Sequence, residues 1–148
     1  MTRIALAGSL ALAPAVASCE TDESCEEDPL AQVIDETRTI EIDGEPYEAE
    51  VADDQTERER GWRHRRCERE ALLLVPDARG PLPIWGCELA EPVDVLFVRD
   101  GEVVELVPDL QPCAPCGECT LLGEDVEVDA VVELPVEPGR APQVVSGI

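Results

Sequence analysis

The strongest hairpin signal in the sequence is "VDVLFVRDGEVVELV", residues 93–107. Two apolar runs, "VDVLFV" and "VVELV", flank a short polar segment that contains Asp100 and Gly101. An Asp-Gly dipeptide between apolar runs is a strong short-range signal for a tight hairpin turn. The sequence therefore predicts an antiparallel β-hairpin here.

Other segments on both sides of this hairpin also have strand character. "TRTIEI" and "PYEAEVA" flank "DGEP", which makes residues 37–52 a second hairpin candidate. "ALLLVP" (71–76) is a short apolar run bounded by proline, which indicates a buried strand. "LPIW" (82–85) is a weaker strand candidate, and "VEVDAVVELPV" (126–136) predicts a last strand. The folding unit is therefore mostly β.

One segment, "ADDQTERERGWRHR" (52–65), has the features of a helix. Asp53 or Asp54 can cap its start, acidic residues come early and arginines late, and Glu59 precedes Arg63 at a favourable i,i+4 spacing. The sequence thus predicts one helix beside the strands, which is α+β by a strict count.

The N-terminus is typical of an export signal. Residues 4–17 are apolar but too short to span a bilayer, which needs about 20 apolar residues in a helix. The run ends in "VASC", which resembles the lipobox that precedes a lipid-modified cysteine, here Cys19. Ordinary cleavage after Ala17, with Cys19 unmodified, is the alternative, and both readings export the protein.

These signals divide the chain into a lipoprotein-type signal peptide (1–18), an acidic tether (19–36), a β domain (37–137) and a flexible tail (138–148). We expect the mature protein to be secreted or anchored through Cys19 to the outer face of a membrane. The formal net charge is −23 and the chain contains no lysine, so nucleic acid is a poor partner, because phosphate binding needs clustered cations.

The chain has seven cysteines, which is many for its length. With Cys19 assigned to lipid, six remain, and an exported small domain favours disulfides among them. Three of the six form a C-x2-C-x2-C run in "QPCAPCGECT" (111–120). Metal binding by Cys113, Cys116 and Cys119 lacks an obvious fourth ligand, and a redox role lacks the helix that normally follows C-x-x-C.

Four segments in order resemble the DUF192 family (also called UPF0127). Residues 52–65 resemble its "ADTPEERARGLMFR", and "IWGCELAEPVDVLF" (84–97) resembles "FWMKNTLIPLDILF". "QPCAPCGECTLLG" (111–123) is similar to "PPC…PCPTYG", and "VVELP" (131–135) to "VLELP". The resemblance covers about residues 40–136.

The resemblance implies a compact β-sandwich or barrel-like sheet with one short helix, and no known activity. It also implies a disulfide between Cys113 and Cys119. The chain departs from the family after Trp85, where Gly86, Cys87 and Glu88 replace Met-Lys-Asn.

Cys67 follows the predicted helix, and Cys87 lies just past Trp85, where the chain departs from the family. We therefore hypothesise a Cys67–Cys87 disulfide that pins the helix to the sheet. This leaves Cys25 and Cys116 as unassigned thiols.

The remaining candidates for a site involve the only basic segment of the chain, residues 58–69, which holds six arginines. It can bind anions, because guanidinium binds oxyanions in a bidentate manner, or it can pair with the interleaved acids of the same chain. A ligand cleft formed by Trp85, Asp94, Arg65 and His64 is the site hypothesis.

We therefore expect a non-enzymatic, exported accessory or small-ligand-binding module without a cofactor. The alternative is an extracytoplasmic thiol-redox or metal-binding protein that uses the C-x2-C-x2-C loop.

Overall fold

The computed structural model describes residues 28–66 and 70–148, so the predicted signal peptide, Cys19, Cys25 and Cys67 lie outside the described residues. The elements in chain order are β1 (Thr37–Ile42), β2 (Glu45–Ala52), α1 (Gln55–Arg60), β3 (Ala71–Leu74), β4 (Gly80–Pro81), β5 (Val93–Arg99), β6 (Glu102–Leu110), a 3-10 turn (Cys116–Glu118), β7 (Glu127–Val128), β8 (Ala130–Pro135) and β9 (Val145–Ser146). None of the helices within the described residues is long and apolar enough to cross a membrane.

Both predicted hairpins form where the Asp-Gly dipeptides stand. β5 pairs antiparallel with β6, and the turn residues Asp100 and Gly101 have φ angles of 53° and 78°. β1 pairs with β2 in the same way around Asp43 and Gly44, with φ angles of 50° and 85°. Positive φ at both central residues is the requirement of a type I′ turn, which explains why these dipeptides specify the connections.

Seven strands form one sheet in the order β6-β5-β8-β3-β2-β1-β9. The chain next to β9 returns to the first strand of that order: Val103 N–H donates to the Gln143 carbonyl at 2.9 Å, and Val145 N–H donates to the Gly101 carbonyl at 2.9 Å. These contacts bring the two edges of the sheet together into a nearly closed barrel. The predicted fold class, a barrel-like sheet with one short helix, is confirmed.

The sheet buries both of its faces along the central strands. One apolar cluster takes side chains from all seven strands and fills the inside of the barrel, with Val51, Leu73, Leu96 and Val132 fully buried. The other cluster lies on the outer face of β3, β5 and β8 and packs under Trp62 and the loops. Strands covered on both faces read as continuous apolar runs, which accounts for "ALLL" and "VDVLFV".

The helix is shorter than the segment that predicted it. The Asp54 carboxylate caps its start by accepting the Glu57 N–H at 2.8 Å. Gly61, with φ 47°, ends it, and its N–H donates to the Glu57 carbonyl at 2.8 Å. Arg63 therefore lies beyond the helix, so the predicted Glu59–Arg63 helical pair is replaced by a contact of Arg63 with Trp85.

Both ends of the folded unit extend past the predicted boundaries. In the segment assigned to the tether, Ile34 is buried, and the Gln32 side chain donates to the carbonyls of Glu57 and Gly61 at the end of α1. In the segment assigned to a flexible tail, Val145 is fully buried in β9. The sequence missed both because each is short, and its contacts are made with residues far away in the chain.

Candidate functional site

A cavity of about 350 Å³ lies between α1, the loop that follows it and the segment around Trp85. Its wall is mainly apolar, formed by Leu74, Leu82, Ile84, Trp85, Leu89 and Leu121. Charged side chains also line it: Arg58, Glu59, Arg60, Arg63 and Glu133. Small-molecule sites are typically concave, largely apolar and equipped with a few polar groups, so this cavity is the candidate ligand site.

Arg63 and Trp85 form one side of this cavity. The Arg63 guanidinium carbon lies 5.0 Å from the centroid of the Trp85 ring, which is a cation–π contact. The Nε–H of Arg63 is buried and has no hydrogen-bond acceptor within residues 28–66 and 70–148. A buried donor of this kind favours an acceptor brought by a ligand.

Glu133 places a carboxylate in the outer apolar face. It stands on β8 between Leu72 of β3 and Val95 of β5 in the strand register, and only 5% of its surface is exposed. The cavity therefore combines arginines with one buried acid. A ligand with a single anionic group would be oriented toward the arginines and away from Glu133.

Arg65 holds the loop after α1 against the sheet. Its Nη1 donates to both carboxylate oxygens of Glu50 at 2.6 and 2.8 Å, and Trp62 Nε1 donates to the same carboxylate at 2.8 Å. Trp62 is fully buried and Arg65 is 7% exposed. This arrangement fixes the loop that carries Arg63, so Arg65 supports the cavity wall from behind.

Asp94 lies elsewhere, near the start of β5. It is 2% exposed and accepts the backbone N–H groups of Asp109 at 3.0 Å and Glu137 at 3.1 Å, with Arg140 Nη1 at 3.3 Å. The hypothesis of a cleft that contains Trp85, Asp94, Arg65 and His64 is therefore corrected. Of these four, Trp85 lines the cavity, and Asp94 is a structural acid buried with Arg140.

In the basic segment, some arginines pair with acids of the same chain, and another is placed where it can bind an anion. Arg58 pairs with Asp77 at 3.2 Å and donates to the Val75 carbonyl at 2.9 Å, and Arg65 pairs with Glu50. Pairing within the chain therefore accounts for these two. Arg63 lies over Trp85 in the cavity and fits the anion-binding interpretation.

The cysteines pair in a way that the sequence indicated only in part. Cys113 is bonded to Cys119, the pair that the family resemblance implies. Cys87 is bonded to Cys116, with their Cα atoms 5.0 Å apart, so the hypothesis of a Cys67–Cys87 bond is corrected and Cys116 is not an unassigned thiol. Because Cys113, Cys116 and Cys119 are all oxidised, the loop does not offer the three thiolates that the metal alternative requires.

Gly86 explains the Cys87–Cys116 bond. The Gly86 carbonyl accepts the Cys113 N–H at 2.8 Å, and the Glu88 N–H donates to the Cys113 carbonyl at 3.2 Å. A Cβ at residue 86 would lie 2.1 Å from the Gln111 carbonyl oxygen, so only glycine lets the two segments approach this closely. Gly86, Cys87 and Cys116, which the resemblance left unexplained, thus form one structural unit.

Away from the cavity, a cluster of Arg79, Asp100 and Asp129 joins the turn between β5 and β6 to the start of β8. Arg79 donates to Asp129 at 2.7 and 2.8 Å and also pairs with Asp100. These hydrogen bonds, first from Arg79 and then from the Asp100 N–H, lower the pKa of Asp129 below its ordinary value of 3.8. The pKa of Arg79 is raised by the same contacts.

Sequence reasoning missed Arg63 and Glu133 as individual site residues. Glu133 carried a signal, because a lone acid inside the apolar run "AVVELP" is unusual for a strand buried on both faces. Arg63 was one arginine among six in its segment, and its place over Trp85 depends on where the helix ends.

The fold and the cavity define a small, acidic β-barrel domain with an external cavity and a loop fastened by two disulfides. The family model of DUF192, described as an uncharacterized family, matches residues 38–147, and the chain belongs to this family. The match extends through β9, in agreement with the placement of residues 143–146 in the barrel.

Two solved structures have the same fold. A proposed transcription regulator from Sinorhizobium meliloti 1021 is 22% identical, with a TM-score of 0.64 over 78% of this chain and 97% of that chain. A protein of unknown function from Novosphingobium aromaticivorans DSM 12444 is 18% identical, with a TM-score of 0.61 over 74% and 83% of the two chains. Comparison with curated proteins finds no match.

Proposed function

We propose that this chain is a small-ligand-binding module that takes carboxylic acids with an apolar body into the cavity beside Trp85. One observation carries the proposal. The buried Nε–H of Arg63 has no acceptor among the described residues, and it stands in a mainly apolar wall next to an aromatic ring.

Such a ligand has a carboxylate that matches Arg63 of the cavity and an apolar body that matches its apolar wall. A carboxylate accepts hydrogen bonds from guanidinium in a bidentate manner, and such charge-assisted bonds are about twice as strong as neutral ones. The apolar body would replace water against Leu82, Ile84 and Leu121. The charge of −23 makes nucleic acid a poor ligand for this chain. The description as a transcription regulator belongs to the Sinorhizobium protein and is not carried over to this chain.

The binding test uses benzoate, phenylpropionate and octanoate as probes, with the corresponding primary amides as uncharged controls. Titration calorimetry should detect binding of at least one carboxylate, and Arg63→Gln should weaken it by about tenfold, equal to about 1.4 kcal/mol. Arg38→Gln is the matched control, because Arg38 pairs with Glu36 at the surface and does not line the cavity. Equal binding of acids and amides, with no effect of Arg63→Gln, would reject the proposal.

The proposal further places the module outside the cytoplasm, held on a membrane by lipid on Cys19. Support comes from the apolar run and lipobox-like "VASC" and from two disulfides, which form mainly in oxidising compartments. Intact mass spectrometry of the mature chain should find an acylated N-terminal Cys19, and Cys19→Ser should move the protein to the soluble fraction. An unacylated Cys19 in a soluble wild-type protein would refute the anchor.

A further inference from the structure

Four residues with metal-binding side chains meet at the corner where the cysteine loop joins the segment after Trp85. Ligand atoms of Cys87, Glu88 and Cys116 all lie within 4.8 Å of one another. His64 is next to them, with its Nε2 3.2 Å from the Glu88 carboxylate. In this structure the two sulfurs are bonded to each other.

We propose that this corner is a redox-gated Zn²⁺ site, closed while Cys87 and Cys116 are joined and opened when a dithiol reduces them. The dithiol gives two electrons and two protons to the disulfide, so that two thiols form here and the dithiol becomes a disulfide. Binding of Zn²⁺ then releases the two thiol protons, because the thiolate is the metal ligand. Two thiolates and the Glu88 carboxylate would supply three ligands, and water the fourth.

The ligand set has the chemistry that zinc prefers. Zinc takes sulfur at about 2.3 Å and carboxylate oxygen at about 2.0–2.2 Å in tetrahedral sites. Two such Zn–S bonds place the sulfurs about 3.8 Å apart, so reduced Cys87 and Cys116 need only small side-chain rotations. Their Cα atoms, 5.0 Å apart, can stay where they are.

The backbone holds Glu88 and His64 in place for this role. Both residues have positive φ angles, 55° for Glu88 and 61° for His64, which few residues with side chains adopt. The His64 N–H donates to the Glu88 carbonyl at 3.0 Å, so the two are joined through backbone and side chain. His64 is therefore the positioning residue that orients the Glu88 carboxylate, as outer partners of metal ligands commonly do.

Access to the corner is graded in a way that suits a metal ion. Cys87 is buried at 1% exposure, Cys116 is half-buried and Glu88 is exposed. Cys87 also lines the cavity beside Trp85, so a metal here would sit at its edge. The inference does not depend on the proposed carboxylate ligand, since its ligands come from the chain alone.

The test uses the full chain with Cys19→Ser, Cys25→Ser and Cys67→Ser, so that the four cysteines of the two disulfides remain. After dithiol reduction and removal of the reductant, Co²⁺ serves as a spectroscopic probe for Zn²⁺, followed by competition with Zn²⁺. In this background, C113S/C119S should bind one ion per chain, with thiolate-to-metal absorption and tetrahedral bands. C87S/C116S should lose this site, and the oxidised protein should not bind.

Two further variants separate the ligand from its positioning residue. Glu88→Gln should weaken Zn²⁺ binding by 10-fold or more, and His64→Gln by about 10-fold to 100-fold while the thiolate bands persist. If C113S/C119S does not fold, alkylation of the reduced parent protein replaces it: Zn²⁺ should protect Cys87 and Cys116 but not Cys113 and Cys119. Binding retained in C87S/C116S, or equal protection of all four cysteines, would overturn the proposal.

Discussion

Cys87 and Cys116 are bonded across 29 residues, directly beside Gly86, where a Cβ would lie 2.1 Å from the Gln111 carbonyl oxygen. Gly86 lets the backbone of residues 111–113 lie against the segment after Trp85, and this contact brings the two cysteines within bonding distance. The Cys87–Cys116 disulfide therefore depends on Gly86, because a side chain at this position would push away the loop that carries Cys116.

The first prediction concerns this glycine. Gly86→Ala should destabilise the protein by about 2–3 kcal/mol, because its Cβ would lie 2.1 Å from a backbone oxygen that cannot move without displacing the loop. Gly117→Ala, in the same loop, is the control, since a Cβ there meets nothing within 4 Å. Urea denaturation of both variants checks the prediction, and equal midpoints would contradict it.

The second prediction compares the two disulfides. In the loop-closure treatment, the 29-residue loop of Cys87–Cys116 contributes about 3.6 kcal/mol, and the 6-residue loop of Cys113–Cys119 about 2.2 kcal/mol. C87S/C116S should therefore lower the free energy of unfolding more than C113S/C119S does. Neither double variant should have more free thiols than wild type, because each removes both cysteines of one disulfide. C87S/C113S removes one cysteine from each disulfide, so it should gain free thiols. More free thiols in C87S/C116S or C113S/C119S than in C87S/C113S would refute the pairing.

The third prediction concerns Asp94, which the sequence placed in a ligand cleft. Asp94→Ala should cost about 3 kcal/mol, because it removes the buried carboxylate that pairs with Arg140 and accepts two backbone N–H groups. Glu137→Ala removes the exposed partner of the same arginine and should cost at most about 1 kcal/mol. Carboxylate binding by folded Asp94→Ala protein should be unchanged; a selective loss of binding would return Asp94 to the site.

The elements that the sequence predicted well are those encoded locally. Asp100-Gly101 and Asp43-Gly44 specify turns by their own φ preferences, and the flanking apolar runs follow from strands buried on both faces. Closure of the barrel by β9 could not be predicted, because a two-residue strand in a proline-rich tail carries no periodic signal.

The candidate site was harder to predict for a related reason. Trp85 was named from the sequence, but its partner Arg63 depends on the helix ending at Gly61, two residues earlier. The Cys87–Cys116 pair depends on the space at Gly86, which only the folded backbone reveals. Sequence separation and residue type do not determine contacts of this kind.

The fourth prediction concerns pH. The pKa of Asp129 lies below 3.8 because Arg79 and the Asp100 N–H stabilise the charged carboxylate. The contribution of the ionised Asp129 carboxylate to the free energy of unfolding is therefore fully present above a pH of about 4. It is lost as the pH falls through the lowered pKa. In an NMR titration of the side-chain carboxyl carbons, Arg79→Gln should raise the pKa of Asp129 toward 3.8, whereas Arg38→Gln should leave it unchanged. An unaltered pKa in Arg79→Gln would show that the ion pair does not form in solution.

The last prediction tests whether residues 143–146 belong to the barrel. Val145 is fully buried between β1 and the turn that begins β6, whereas half of its neighbour Val144 is exposed. The two residues are both valines and adjacent in sequence, so the comparison between them isolates the effect of burial. Val145→Ala should lower the free energy of unfolding by about 1–3 kcal/mol, because it removes buried methyl groups and leaves a cavity in the barrel. Val144→Ala should change it by less than about 0.5 kcal/mol, as surface substitutions usually do. If both variants unfold at the wild-type urea concentration, the segment is a tail in solution, as its composition alone had predicted.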